Sequence, residues 1–297
     1  MTFSACASAY IEAHKSGWKN EKHANQWKST IDTYVNSIIG ELPIGDVDSG
    51  LVMKCLNKIW NDKPETASRV RGRIESILDW AKVLGYRAGE NPARWKGHLD
   101  NLLPARSKVA RVEHHPALPY AEIPDFMVAL KQQPGFGARA LEFSILNATR
   151  TGEVIGAKWD EVDLDAALWI IPAERMKAGE EHRVPLSSSA VAILQAIQPL
   201  GEAFLFPGRL RNTPLSNMSL LATLKRMNRN DLTTHGFRST FRDWAAETTV
   251  YPSEVVEMSL AHTIGSKVEA AYRRGDLLEK RRRLMDDWAT YCMRTST

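Results

Sequence analysis

The most regular hydrophobic pattern of the chain lies between residues 64 and 84. Apolar side chains recur there at intervals of three and four residues, which is the spacing of one face of an α-helix. Pro64 suits the first turn of a helix, and Glu65 is favoured near the positive end of the helix dipole. The pattern therefore predicts a long amphipathic helix. Its apolar face consists of Ala67, Val70, Ile74, Ile77, Leu78, Ala81 and Leu84.

A second region, from Leu118 onwards, alternates between helical and extended patterns. It opens with a helix start and continues with a helix predicted over about residues 137–149. Short apolar stretches then predict strands, with Gly179 in the turn between the last two. The predicted strands comprise residues 162–165, 168–172 and 182–186. After Ser187 the pattern is helical again. The predicted helix caps are Ser188 with Ser189, Thr233 with Thr234, Ser253, and Ser266.

Between these regions the periodicity is lost and prolines accumulate, which is typical of a linker. The sequence thus predicts a mainly α-helical protein of two domains. We expect a helical domain over residues 1–103, a linker over 104–118, and a second domain over 119–297. The second domain is expected to be mostly helical and to carry one small antiparallel sheet.

The composition is that of an ordinary globular protein. Of 297 residues, 43% are hydrophobic and 25% are charged, and the apolar stretches are too short to span a bilayer. Cys6, Cys55 and Cys292 form no even framework and no CxxC pair, which fits a reducing compartment. With no pattern of a signal peptide, we expect a cytoplasmic protein. The histidines and cysteines show no zinc-ligand spacing, so no metal is expected.

The net charge of +4 is mild, but the basic residues are concentrated. Residues 87–111 carry six basic against two acidic side chains, and residues 273–283 do the same. Such local excess favours a face directed at a polyanion, and solvated helix faces are the alternative.

Two groups of cations are the candidates for contact with a DNA backbone. Arg69 and Arg73 lie one turn apart on a stripe of the predicted helix separate from its apolar face. Gly72 between them costs about 1 kcal/mol relative to alanine in a helix interior. That cost is easier to understand if DNA, or alternatively a neighbouring helix, approaches closely there. The second group lies around the predicted linker and consists of Arg106, Lys108 and Arg111.

An ordered set of phosphate-binding and proton-handling residues follows in the C-terminal half. It consists of Arg150, Lys177, His235, Arg238, His262 and Tyr272. Arginine binds phosphate through a planar fork that stays charged, and lysine or histidine can transfer protons. A tyrosine becomes a nucleophile only if cations stabilise its phenolate. Each residue taken singly also fits an ordinary surface or core position. Glu153, three residues after Arg150, is expected to orient that guanidinium or to cap the helix beginning there.

The motifs that contain these residues resemble those of the tyrosine recombinases, the phage-type integrases. The segment 147–153 resembles the family's first-arginine box, although Asn147 and Ala148 replace its usual Thr-Gly. Ala261 likewise stands where glycine is usual, before His262. Tyr272 comes ten residues after His262, as in the family. The segments around Lys177 and over 182–186 are most similar to integrases of prophages and genomic islands of the P4 type.

The resemblance implies a helical core-binding (SAM-like) domain and a catalytic domain, both acting on double-stranded DNA attachment sites. Tyr272 is implied to attack the scissile phosphate and form a 3′-phosphotyrosyl link. Arg150, Arg238 and His262 would hold the phosphate, His235 would assist, and Lys177 would protonate the leaving 5′ oxygen. No cofactor is implied. The resemblance implies that four protomers assemble on DNA and that the free protein can be a monomer. Host DNA-bending or excisionase proteins are implied as further partners.

Relatives of the P4 type usually carry an additional N-terminal arm-binding domain, which this sequence is expected to lack. Two other functions remain open at this point. One is a type IB topoisomerase-like enzyme, which uses the same tyrosine chemistry to relax supercoils without paired sites. The other is a DNA-binding module without catalysis, against which the complete set of residues argues.

Overall fold

The computed structural model describes residues 1–18, 21–109, 116–197, 203–262 and 275–294. The chain divides into two compact units, Met1–Glu113 and His114–Thr297. The division falls inside the segment predicted as a linker, and the domain bounds themselves stay a prediction. Within the described ranges no helix is both long and apolar enough to cross a membrane.

The N-terminal unit is built from helices, as the sequence predicts. Its α-helices are α1 (Phe3–His14), α2 (Glu21–Tyr34), α3 (Asn36–Ile39), α4 (Ser49–Trp60), α5 (Pro64–Val83) and α6 (Arg106–Val109). Short 3₁₀ helices span Lys15–Gly17, Ile44–Asp46 and Leu99–Asn101. Helix α5 begins at Pro64 and buries the predicted apolar face in the core of the unit. Leu84 is an exception, because it follows the last residue of the helix and is exposed.

Arg73 corrects the prediction of a cationic stripe on α5. Its side chain is buried, its Nη1 atom donates to the carbonyl oxygen of Gln26 at 2.8 Å, and its guanidinium lies over the ring of Trp27. Burial lowers the pKa of Arg73, and the charge of Arg69 lowers it further. Arg73 therefore holds α5 against α2. The spacing of one turn was read correctly, but spacing alone does not show that a neighbouring helix covers the residue.

The other candidate DNA contacts of this unit remain accessible. Arg69 and Arg106 are both exposed and both form ion pairs with Glu65. Lys108 lies on the short helix α6, and Arg111 lies outside the described residues. A Cβ atom added at Gly72 would meet nothing within 4 Å. Among the described residues no helix of this unit therefore approaches Gly72 closely, and the contact with DNA stays a prediction.

The C-terminal unit is mostly helical around one small sheet, which confirms the predicted fold class. Its α-helices are α7 (Ile123–Lys131), α8 (Phe136–Leu146), α9 (Thr151–Ile155), α10 (Ser188–Ala196), α11 (Ser219–Arg226), α12 (Gly236–Thr248), α13 (Ser253–Ser259) and α14 (Leu278–Cys292). Short 3₁₀ helices span Tyr120–Glu122, Trp159–Glu161 and Ala173–Arg175.

The sheet has three antiparallel strands in sequence order. They are β1 (Val162–Asp163), β2 (Leu168–Ile171) and β3 (His182–Pro185). Gly179 lies in the connection between the last two strands and has a φ of 77°, a conformation that glycine adopts without strain.

Three predicted helix caps are displaced by one or two residues. Ser187 caps α10 instead of the two serines after it, because its hydroxyl accepts from the backbone of Ala190. Helix α12 begins after His235, while Thr233 accepts from the backbone of Gly236. Ser253 is the first residue of α13 and follows the cap. The cap predicted at Ser266 lies outside the described residues.

Helix α14 covers its own unit. Its apolar face is buried, and the ring nitrogen of Trp288 donates to the carbonyl oxygen of Ile145 at 2.9 Å. Trp288 also packs against Phe241 and Trp244 of α12. The aromatic residues of α12 therefore lie in the core and fix the helix that carries Arg238.

Candidate active site

Helix α8 ends in a left-handed turn just before Arg150. The backbone N–H of Ala148 donates to Ile145 and that of Thr149 donates to Ser144, the paired bonds of a Schellman motif. This motif requires a left-handed residue after the helix, and Ala148 has a φ of 49°. The turn reverses the chain and places Arg150 at the start of α9.

Helix α13 ends in the same way just before His262. Ala261 donates to Met258 and His262 donates to Glu257, and Ala261 has a φ of 48°. Both alanines thus occupy positions that favour glycine, and these are the two positions where the recombinase family usually has glycine. The substitutions leave the turn geometry intact.

Both turns present carbonyl oxygens to Arg238. Its Nη1 atom donates to the carbonyl of Ala148 and its Nη2 atom to that of Leu260, both at 2.5 Å. Nη2 also lies 3.1 Å from Nε2 of His262. These bonds fix the guanidinium of Arg238, which is buried on α12, between the two helix ends.

Arg150 lies at the same two turns. Its Nη2 atom donates to the carbonyl of Ala261 at 3.2 Å. Its backbone N–H and its Nη1 atom each donate to a different oxygen of the Glu153 carboxylate at 2.8 Å. Glu153 therefore does both things expected of it, because it caps α9 and orients the guanidinium.

The electrostatics favour an anion beside Arg238. Burial, and then the charge of Arg150, lower the pKa of Arg238 to about 10, with Glu153 and Glu257 opposing part of the change. A lowered pKa means that the charged form is destabilised by its surroundings. In addition, the buried Nε–H of Arg238 has no acceptor among the residues described. An oxyanion placed beside Arg238 would stabilise the charged guanidinium and would accept from its Nε–H.

We expect Ala261→Gly to raise the free energy of unfolding by about 1 kcal/mol. The left-handed conformation costs an L-residue roughly 1–2 kcal/mol, and the greater freedom of glycine in the unfolded chain offsets part of the gain. Urea denaturation would measure the change. Ala261→Val is the matched control and should destabilise, since a β-branched residue tolerates positive φ least. A Gly variant less stable than the parent protein would contradict the strain assigned to this turn.

The remaining predicted residues lie at different places in the unit. His235 is the exposed residue that precedes α12, and its carbonyl accepts from the backbone of Arg238. Lys177 is exposed in the connection between β2 and β3. Tyr272 lies outside the described residues. The structure thus brings together Arg150, Arg238 and His262 in direct contact with the two turns.

Two functional candidates were missed from the sequence. His182, at the start of β3, has a pKa lowered to about 4 by burial and then by the charges of Arg281, Arg150 and Arg238. It is therefore neutral near the arginine pair at pH 7. Glu257 accepts from Nδ1 of His262 at 2.6 Å. No sequence signal marked Glu257, whereas His182 was part of a recognised motif without an assigned role.

The structural role of Arg281 was missed as well. The residue was counted among the basic residues of 273–283, but it is buried, donates to the carbonyls of Arg183 and Asp276, and forms an ion pair with the Asp276 carboxylate. It therefore ties the start of α14 to β3. In the part of the chain that the structure describes, no group of three His, Cys, Asp or Glu side chains could hold a metal.

Two protein-family models match the chain. The model described as the phage integrase central domain matches residues 3–98, and the model described as the phage integrase family matches residues 117–277. The second match spans all six predicted catalytic positions. Five of them lie in the described residues, and the sixth is position 272.

Two curated proteins are similar over almost the whole chain. Prophage integrase IntZ of Escherichia coli strain K12 is 33% identical over 291 residues, which are 97% of this chain and 70% of that protein. The integrase of Enterobacteria phage P4 is 29% identical over 312 residues, with 98% of this chain and 69% of that protein covered.

A solved structure shares the fold. A lambda integrase tetramer bound to a Holliday junction matches with a TM-score of 0.69 at 17% identity, over 90% of this chain and 79% of that chain. At this identity the likeness concerns the fold alone.

Proposed function

The chain belongs to the phage integrase family and is a site-specific tyrosine recombinase, and we propose that its C-terminal unit cleaves and rejoins DNA with the residues predicted above. Arg150 and Arg238 bind the scissile phosphate, assisted by His262. Glu153 orients Arg150. Tyr272 is the nucleophile, Lys177 the general acid, and His235 assists proton transfer.

The observation that carries these assignments is the arginine pair at the ends of α8 and α13, in which Arg238 is buried and Arg150 is half-buried. Cleavage of a phosphodiester develops negative charge on its non-bridging oxygens, and fixed donors aimed at that charge lower the barrier. Arg238 is fixed by two carbonyls and a histidine, while its Nε–H has no acceptor in the described ranges. A phosphate oxygen is the acceptor that this donor suits.

The proposed reaction conserves the number of phosphoester bonds. The hydroxyl oxygen of Tyr272 attacks phosphorus and forms a 3′-phosphotyrosyl bond, while the bond to the 5′ oxygen breaks. The phenolic proton leaves through His235, and the departing 5′ oxygen takes a proton from Lys177. Attack by a 5′-hydroxyl from the partner strand reverses these steps, so that a mobile element is integrated or excised.

We propose duplex DNA as the partner and four protomers as the acting assembly. The exposed Arg69 and Arg106 and the helix with Lys108 support contact by the N-terminal unit with the backbone. The solved relative described above is a tetramer on a Holliday junction, which supports the assembly. Attachment-site sequence is read by base contacts, which these phosphate-binding residues do not supply.

The test is a nicked suicide duplex that carries the attachment core taken from DNA flanking the element in its host chromosome. We expect a protein–DNA adduct on a denaturing gel, and tryptic mapping should place it on the peptide of residues 268–273. An adduct on another peptide would contradict the assignment of Tyr272. Relaxation of an arbitrary supercoiled plasmid by monomers would instead favour a topoisomerase-like activity.

A further inference from the structure

Glu257 holds His262 by two hydrogen bonds. As the third residue from the end of α13, its backbone carbonyl accepts from the backbone N–H of His262 at 3.0 Å. Its carboxylate lies 2.6 Å from Nδ1 of the same histidine. The Schellman turn brings the two residues together, so the position and the orientation of the ring depend on one side chain.

The hydrogen-bond partners of His262 determine which ring nitrogen carries the proton. Arg238 contacts Nε2 through Nη2, and a guanidinium can only donate. Nε2 must therefore be an acceptor with a lone pair. A carboxylate can only accept, so Nδ1 carries the proton and donates it to Glu257. Both partners require the same neutral tautomer, with Nδ1 protonated.

Glu257 is itself held in the charged form. Burial alone would raise its pKa, but hydrogen bonds from Arg242 and His262 outweigh burial, and the net pKa lies below the ordinary value. The Nε atom of Arg242 donates to Oε1 of Glu257 at 2.7 Å, which leaves Oε2 for His262. The carboxylate is thus an acceptor fixed on both sides.

We propose that Glu257 is a positioning residue of the recombinase, which fixes His262 in the Nδ1-protonated tautomer and directs Nε2 toward Arg238. The inference rests on the proposed function only for its effect on cleavage. When Arg238 binds the scissile phosphate, Nε2 of His262 remains the acceptor that holds its guanidinium in place, so that His262 assists phosphate binding through Arg238. A ring without this anchor would rotate, and Arg238 would lose one of its fixed neighbours.

The tautomer can be measured without DNA. In protein labelled with nitrogen-15 at histidine, long-range correlation spectra distinguish protonated from unprotonated ring nitrogens, and loss of one signal set in His262→Asn assigns the residue. We expect Nδ1 to be protonated in the parent protein. A ring protonated at Nε2 would overturn the proposal, whatever the cleavage assay shows.

Cleavage of the suicide duplex at saturating DNA tests the consequence. Glu257→Leu keeps about the same volume but has no acceptor. We expect cleavage to be about 10- to 100-fold slower, which is the loss typical when a metal-binding histidine loses its carboxylate partner. Glu257→Gln retains an acceptor and should be faster than the Leu variant, with His262 still protonated at Nδ1. DNA affinity should be unchanged in both.

Glu279→Leu is the control, because Glu279 is an exposed carboxylate on α14 of the same unit. It should cleave at the parent rate. If Glu257→Leu also cleaves at the parent rate, the positioning role is refuted. Absence of any adduct with the parent protein would instead refute the proposed function and leave the spectroscopic result to decide the tautomer.

Discussion

Tyr272→Phe is expected to form no covalent adduct with DNA while binding it as tightly as the parent protein. The substitution removes a single oxygen, which is the atom proposed to attack phosphorus. A phenol has a reference pKa near 10 and attacks at neutral pH only beside cations that stabilise the phenolate. The proposed source of that stabilisation is the arginine pair at the ends of α8 and α13. With no oxygen to activate, the pair can still bind phosphate but cannot cleave the strand.

The measurement compares adduct on a denaturing gel with affinity from a mobility shift. Tyr291→Phe is the matched control, because Tyr291 lies on α14 of the same unit and packs against Trp288. It should form adduct like the parent protein. Adduct formed by the Phe variant of Tyr272 would identify another nucleophile. A variant that no longer binds DNA would show that Tyr272 acts in folding or binding.

Patterns set by neighbours in sequence could be read correctly from the chain alone. The helix that begins at Pro64 follows from the spacing of its apolar residues, and the strands follow from short apolar stretches around Gly179. The grouping of Arg150 with Glu153 also follows, because residues three apart face each other in the first turn of a helix. In each case the deciding interactions lie within one element or between adjacent ones.

Contacts between distant residues could not be predicted in this way. Arg73 and Arg281 looked like surface cations, but carbonyls 47 and 98 residues away in sequence bind them. Burial of an arginine depends on such acceptors, and composition does not reveal them. The acceptors of Arg238 and Arg150 are a second case. These arginines donate to the carbonyls of Ala148 and Ala261, which lie 90 and 111 residues away in sequence.

Arg238→Ala should slow cleavage by at least about 100-fold at saturating DNA, the loss typical of removing one donor from a site for developing negative charge. The rate should fall more than the affinity, because other cations still bind the ground-state phosphate. Arg238→Lys keeps the charge but not the planar fork, and it cannot replace bonds to Ala148, Leu260 and His262 together. We therefore expect the lysine variant to be nearly as slow.

Stability has to be measured beside the rate, because Arg238 also satisfies buried carbonyls. Each acceptor left without a donor costs about 1–3 kcal/mol, so Arg238→Ala should melt at a lower temperature. Rates are then compared well below the melting temperature, with the exposed Arg209→Ala as control for loss of one positive charge. If the Arg238→Lys variant folds and binds DNA normally but cleaves slowly, the reaction requires the planar fork of arginine and not only its positive charge. Cleavage at the parent rate by Arg238→Ala would remove Arg238 from the mechanism, and Arg150 would then have to bind the phosphate without it. Cleavage at the parent rate by Arg238→Lys would show that the charge suffices without the planar fork.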